Sequence, residues 1–285
     1  MAQGTKSISP PVLIGICAPS TPFTKDAASR VLALAARTHP KAELVFDEQC
    51  FFEDGHFAGS DKQRTDSFVA LANDPDIDAI WFARGGYGAA RIAEAAIDRL
   101  DSAAKNKIYL GYSDAGNLLG ALYRAGIGDV AHGPMPSDIG RPEGEKAVAR
   151  ALDWIVHRKT DALDPSLISG QKYAAFNLMT LAMMTGTKLI PDLRNHILIV
   201  EEISEYLYAF DRAMFHLCSN LADSGLTGIQ LGRVDDIPEN DRPFGEDPEA
   251  IIKRWAGSNA IAYLGRAEIG HDAQNRIVPF GMSKT

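Results

Sequence analysis

Residues 111–115 read Gly-Tyr-Ser-Asp-Ala, the G-x-S-x-[GA] spacing of a nucleophile elbow between a strand and a helix. Small residues two before and two after the serine are needed because the turn is tight and the flanking backbones nearly touch. In such a turn the Ser113 Oγ can attack an acyl carbon. The helix start expected at Asp114 offers free N–H groups and a positive dipole end to the resulting oxyanion. A serine ahead of a helix is also among the best N-caps, and the two roles are compatible if the oxyanion amide comes from that same helix start.

A second constellation, "ARGGYGAARI" at 83–92, also closes an apolar run. Gly85, Gly86 and Gly88 permit positive φ and close approach of backbone amides, which suits an oxyanion-hole donor, a phosphate cradle or a plain tight turn. It is neither a G-x-x-x-x-G-K-[ST] loop nor a clean G-x-G-x-x-G followed by an acidic strand end.

An attacking serine needs a base, and the base needs an orienting group. His271, in the Gly-flanked "EIGHDAQNRIVPFG", is one candidate and His132, in "AHGPMPS", is its rival. His216, on "DRAMFHLCSNL", reads as packed or surface-facing. The strand-like "HILIVEE" ends on Glu201 and Glu202, either of which can orient an imidazole unless both are solvated. Cys17, Cys50 and Cys218 are an odd count without any C-x-x-C, which fits neither a disulfide framework nor a zinc site. The seven histidines show no HxH or HExxH pair, so a metal centre has no local signature, and acyl transfer to a serine requires neither a metal nor an organic cofactor.

These groups have to be held by ordered elements. The chain has 285 residues, 46% of them hydrophobic, enough for two cores. Strand-like runs "VLIGICAPS", "AELVFDE", "IDAIWFA" and "KIYLGYS" alternate with helix-like "KDAASRVLALAARTH", "SDKQRTDSFVALANDP" and "RGGYGAARIAEAA". In the first helix Val31, Leu32, Leu34 and Ala35 are expected on one face. The alternation predicts an α/β fold: an N-terminal Rossmann-like parallel sheet with helices on both faces, over 1–160. The polar stretch 161–172 reads as a linker, and 173–285 as a smaller C-terminal α/β domain, with an acidic loop at 235–248. The net charge of −8 argues against nucleic-acid and anionic-membrane partners. No apolar run approaches the span of a bilayer, the N-terminus lacks a signal-like apolar region, and a soluble cytoplasmic protein is expected.

Taken in order, "RGGYGAARI", "GYSDAGNLLGAL", "AHGPM", "NLMTLAMMTGT", "ILIVEEISEYLYAFDRAMFHL" and "IGHDAQNRIVPFG" resemble the LD-carboxypeptidases, serine peptidases that trim murein peptides. The resemblance runs from about residue 11 to 281 and implies Ser113 as nucleophile, Glu201 and His271 as its partners, and the amides of Gly86 and Asp114 as oxyanion hole. It further implies a cleft between two domains, a homodimer, and hydrolysis of the bond between an L-centre and a terminal D-Ala in peptidoglycan recycling. Arg84 is the candidate cation for the free terminal carboxylate, unless it pairs with a nearby aspartate. The family has glycines where this chain has "KYAAFNL", so a stiffer loop before Asn177 is expected. Two alternatives stay open: a microcin-type peptide-nucleotide hydrolase, and a non-enzymatic module binding a nucleotide or sugar phosphate.

Overall fold

The structure, a computed structural model, describes residues 10–282 of the 285. The start of the N-terminal stretch considered for a signal segment, residues 1–9, lies outside the described residues. The first half follows the expected alternation: β1 (Val12–Cys17), α1 (Lys25–Thr38), β2 (Ala42–Phe46), α2 (Asp61–Asn73), β3 (Ala79–Phe82), α3 (Ala89–Ile97), β4 (Ile108–Gly111) and α4 (Gly116–Ala125). Local chemistry accounts for the helix starts. The Thr24 side chain caps α1, and Ser60 with Gln63 forms a full capping box on α2. The α4 end is closed by Gly126 at φ +65°. On α1 the buried stripe is Ala28, Val31, Leu34 and Ala35. Leu32 is exposed instead, because one residue past Val31 it is turned about 100° around the axis.

Next come β5 (Asp129–His132), α5 (Gly144–His157), β6 (Lys172–Asn177), α6 (Leu178–Met184), β7 (His196–Ile203), α7 (Leu207–Leu221), β8 (Gly228–Asp235), α8 (Pro248–Ser258), β9 (Tyr263–Arg266), β10 (Val278–Pro279) and β11 (Gly281–Met282). The first sheet has the order β10-β5-β4-β3-β1-β2, parallel except for β10. Right-handed crossovers therefore put α1 on one face and α2, α3 and α4 on the other, since the direction of winding reverses at β1. The packing agrees: α2 lies against α3 and α3 against α4, while α1 lies against α5. The reversal point, between the carboxyl ends of β1 and β3, is where such sheets bind ligands. Residues 83–88 leave β3 at that point.

The second sheet runs β11-β6-β7-β8-β9, with four parallel strands and the short antiparallel β11 at one edge. No helix among the described residues is long and apolar enough to cross a membrane. The two sheets are stitched together by the chain end: β10 pairs with β5 of the first sheet and β11 with β6 of the second. The 161–172 stretch is tied to this end as well. Leu163 bridges Ile277, and the buried Asp164 carboxylate accepts the Glu268 and Ser166 amides at 2.6 and 2.8 Å.

Two expectations need correcting. The segment before Asn177 is no loop: Lys172–Asn177 is β6, paired along its length with β7. "KYAAFN" has strand formers only in Tyr173 and Phe176 and no β-branched residue, and its pairing along β7 completes the strand. The acidic loop gives way at Pro248 to α8, which Asp247 caps and Pro248 opens.

Candidate active site

Ser113 follows the last residue of β4 by two positions and has φ +58°. A non-glycine residue held there stores strain, and such residues concentrate where a side chain must be aimed. The turn is as tight as its spacing requires: a Cβ on Gly111 would lie 3.2 Å from the Ala115 Cβ, and one on Gly85 would lie 3.0 Å from the Ser113 Oγ. Ser113 does not cap a helix. It begins a single 3-10 turn, Ser113–Ala115, with Tyr112 in the extended flanking position and no side-chain capping bond. The half-buried Ser113 hydroxyl makes no hydrogen bond among the described residues.

The glycine loop lies beside it. Gly86 has φ +107°, and a Cβ there would come within 2.5 Å of the Thr21 Cγ2. Neither the Gly86 nor the Asp114 amide has a hydrogen-bond partner among the described residues. Both peptides are held from behind. Thr21 Oγ1 donates to the Gly85 carbonyl at 2.7 Å. The Asp114 carboxylate accepts from Ser20 Oγ at 2.5 Å, from the Ala89 amide at 2.8 Å and from Asn117 Nδ2 at 3.1 Å. Burial nevertheless pushes the Asp114 carboxyl above its ordinary value, against the pull of those bonds and of Arg64. Arg64 is wholly buried; its guanidinium donates to the carbonyls of Pro19 and Gly88, pairs with Asp61 and stacks on Phe57. One arginine thus ties the loop after β1 to the loop after β3.

The orienting pair comes from the second sheet and the chain end. His271 Nδ1 and Glu201 Oε2 are 2.6 Å apart, with Glu201 fully buried. Glu201 stands where the β7–β8 register shifts, between Val200 and Glu202, and such bulges re-aim a side chain. A Cβ on neighbouring Gly232 would sit 2.9 Å from the Glu201 Cβ, so only glycine leaves it room. Burial alone would lower the His271 pKa, but the Glu201 charge and hydrogen bond outweigh it and the net shift is upward. His271 is therefore the more basic of the two candidate imidazoles. Glu202, one residue on, faces the other way. Its carboxylate caps the α6 start by accepting from Met179 N–H at 2.8 Å and Asn177 Nδ2 at 2.6 Å. His271 also packs against the residue before the serine, with the Tyr112 ring centroid 4.8 Å away.

A pair of cations, Arg84 exposed and Arg141 half-buried, completes the arrangement. Arg84 pairs with no carboxylate among the described residues; its guanidinium reaches the Pro22 carbonyl at 3.3 Å. With Arg141, Ser137, Phe23, Thr24 and Ala27 it lines a cavity of about 310 Å³. Arg141 is held by Asp138, which also accepts from the Tyr112 hydroxyl at 2.7 Å.

Two family models match the chain. The LD-carboxypeptidase N-terminal domain matches residues 14–133 and the LD-carboxypeptidase C-terminal domain matches 173–285. The chain belongs to the LD-carboxypeptidase family. Relatives of this LD-carboxypeptidase include the murein tetrapeptide carboxypeptidase of Pseudomonas aeruginosa, 28% identical over 79% of this chain and 78% of that one. The probable murein peptide carboxypeptidase of Bacillus subtilis is 26% identical over 94% and 86%. Among solved structures, muramoyltetrapeptide carboxypeptidase from Oxalobacter formigenes superposes with TM-score 0.77 at 24% identity, covering 95% of this chain and 96% of that one. The microcin C7 self-immunity protein MccF does so with TM-score 0.76 at 21% identity, over 96% and 92%. At these identities the structural likenesses speak for the fold. Family membership makes this chain a carboxypeptidase-type hydrolase.

Of the LD-carboxypeptidase residues expected from sequence, Glu201 and His271 are in contact, Ser113 and Asp114 share the turn after β4, and Gly86 lies in the adjoining loop after β3, whose Gly85 abuts Ser113. Ser113 and His271 make no hydrogen bond to each other here. His216 lies on α7, bonded to Asn220. The residues missed are Ser20, Thr21, Arg64, Tyr112 and Arg141. Arg64 had a signal: positions 64, 68, 71 and 72 form one buried stripe of α2, and an arginine in such a stripe must find buried acceptors. Ser20 and Thr21 had none, since their partners lie 94 and 64 residues away.

Proposed function

We propose that this LD-carboxypeptidase is a serine-type enzyme that releases the terminal D-Ala from murein tetrapeptides, with Ser113 as nucleophile, His271 as base and Glu201 as orienter. The observation that carries the reading is a serine held at φ +58° at a strand end, next to a tyrosine that packs on a buried, carboxylate-bound histidine. In this mechanism His271 Nε2 takes the Ser113 proton as Oγ attacks the scissile carbonyl. Its Nδ1–H stays donated to Glu201 Oε2, which fixes the tautomer and favours the imidazolium. The Gly86 and Asp114 amides receive the oxyanion, each worth about 3 kcal/mol of transition-state stabilisation. His271 then protonates the departing D-Ala amine, and water, activated by the same imidazole, hydrolyses the acyl-serine. Closure on substrate brings Oγ within reach of the imidazole, as catalytic hydrogen bonds often tighten only in the complex.

Arg84 and Arg141, facing one cavity, suit the free carboxylate that distinguishes a terminal residue from an internal one. The names of the murein-peptide relatives support this substrate, and the two-sheet arrangement supports a cleft that takes a short peptide. Two measurements test the reading. A fluorophosphonate probe should label the protein and fail to label Ser113→Ala, and mass spectrometry should detect free D-Ala from a murein tetrapeptide. Labelling without D-Ala release would move the substrate assignment elsewhere; no labelling would end the serine mechanism.

A further inference from the structure

Behind Glu201 lies a set of polar atoms for which the proposed mechanism has no use. His132, Asn275 and Glu201 are each 0% exposed. Both ring nitrogens of His132, the Asn275 Nδ2 and the Glu201 Oε1 are buried without a hydrogen-bond partner. Orphan buried polar atoms are rare and costly, and four in one neighbourhood call for a common cause. The neighbourhood is shared. His132 ends β5, in register with Gly111 of the serine turn and with Val278, three residues beyond Asn275. The Tyr112 ring lies 5.5 Å from the His132 ring and 4.8 Å from that of His271. Asn275 spends its Oδ1 on the Gly270 amide, next to His271, while Arg150 holds the carbonyls of Ala273 and Asn275.

Among these four side-chain atoms, donors and acceptors match in one way. A neutral imidazole offers one N–H and one lone pair, Asn275 Nδ2 can only donate, and an ionised Glu201 Oε1 can only accept. We propose that Asn275, His132 and Glu201 form a hydrogen-bond relay, closed directly or by one internal water, in which neutral His132 donates to Glu201 Oε1 and accepts from Asn275. His132 is then a positioning residue. It holds the carboxylate whose other oxygen orients His271, and it does so without adding a second positive charge beside the imidazolium. The groups facing it are Glu201 from β7, His271 and Asn275 from the chain end, Tyr112 from the serine turn and the backbone of Ala175 from β6, the rival acceptor for its N–H. Burial, the largest influence on His132, pushes its pKa down to about 4, so the ring stays neutral where His271 works.

The inference rests on the serine mechanism proposed above, and its test separates the two. Fluorophosphonate labelling rates are measured against pH for the wild type, His132→Phe and His132→Gln. An unlabelled wild type sinks the serine mechanism itself. With labelling present, His132→Phe should react roughly tenfold more slowly. Its acid limb should move to higher pH, because Glu201 charge no longer shared with a donor favours the imidazolium. His132→Gln, which keeps an N–H donor, should recover most of the rate. A folded His132→Phe with unchanged rate and unchanged limb overturns the relay. If His132→Phe does not fold, nitrogen NMR of histidine-labelled wild type decides. The relay requires His132 to stay neutral, in one tautomer with an exchange-protected N–H, from about pH 5 to 8. Titration or fast tautomer exchange in that range overturns it.

Discussion

The φ of +58° at Ser113 makes a counter-intuitive change stabilising. Two variants, Ser113→Ala and Ser113→Gly, both remove the hydroxyl, so their difference isolates the backbone. Alanine at this position keeps a Cβ against the following carbonyl, a cost of about 1–2 kcal/mol per residue in the left-handed region. Glycine escapes that cost but gives up about 0.5–1 kcal/mol of unfolded-chain entropy. The net expectation is that Ser113→Gly is more stable than Ser113→Ala by about 0.5–1 kcal/mol, or about 1–3 °C in Tm for a chain of this size. Neither variant should react with a fluorophosphonate. Differential scanning calorimetry at one pH and protein concentration measures the difference. If Ser113→Gly melts at or below Ser113→Ala, the turn is not strained, and the argument that strain aims the hydroxyl falls with it.

Three further outcomes follow from the same geometry. Glu201→Gln keeps the shape of the 2.6 Å contact but removes its charge, so labelling should slow by about 10³–10⁴-fold. The His271 pKa, now raised by Glu201, should fall, moving the acid limb of the remaining reactivity to lower pH. Gly86→Ala would drive a Cβ into Thr21 at a position of φ +107°, displacing an amide of the proposed oxyanion hole; a loss of about 10²–10³ in acylation rate is expected, read by stopped-assay labelling. The Glu202 carboxyl is raised from 4.5 to about 7, chiefly by burial and also by the Glu201 charge, against the bonds from Ile203, Asn177 and Met179. Its protonation therefore favours the folded state. That contribution is fully present below pH 4.5 and is lost as pH rises through about 7. Urea melts across this window should show the decline for wild type and a flatter profile for Glu202→Gln; identical slopes would refute the assignment.

Much of the layout was legible in local pattern. β-branched runs, the Ser60–Gln63 capping box and the glycine at the end of α4 each impose their element with neighbours only a few residues away. Where local preference is weak, pairing decides the element. The Ala-rich β6 is a strand because β7 offers it a ladder along its whole length. The α8 start is marked in "EDPEAII" by an aspartate cap followed by proline, inside an acidic surround that otherwise reads as loop. The serine turn was legible because its spacing is a steric demand on residues 111–115 alone. Its φ was not, and neither was the absence of a capping bond.

By itself, the sequence determined which side chains exist to do chemistry and which short-range turns and caps would present them, because those depend on contacts within a few residues. Tertiary structure decided which of them meet. Glu201 and Glu202 are alike in sequence, yet one binds a histidine 70 residues away and the other caps a helix, since a strand sends adjacent residues to opposite faces. His132 and His271 are likewise equal candidates as residues. The charge and hydrogen bond of Glu201 raise His271 against its burial, whereas at His132 burial dominates, and no pattern along the chain encodes that difference.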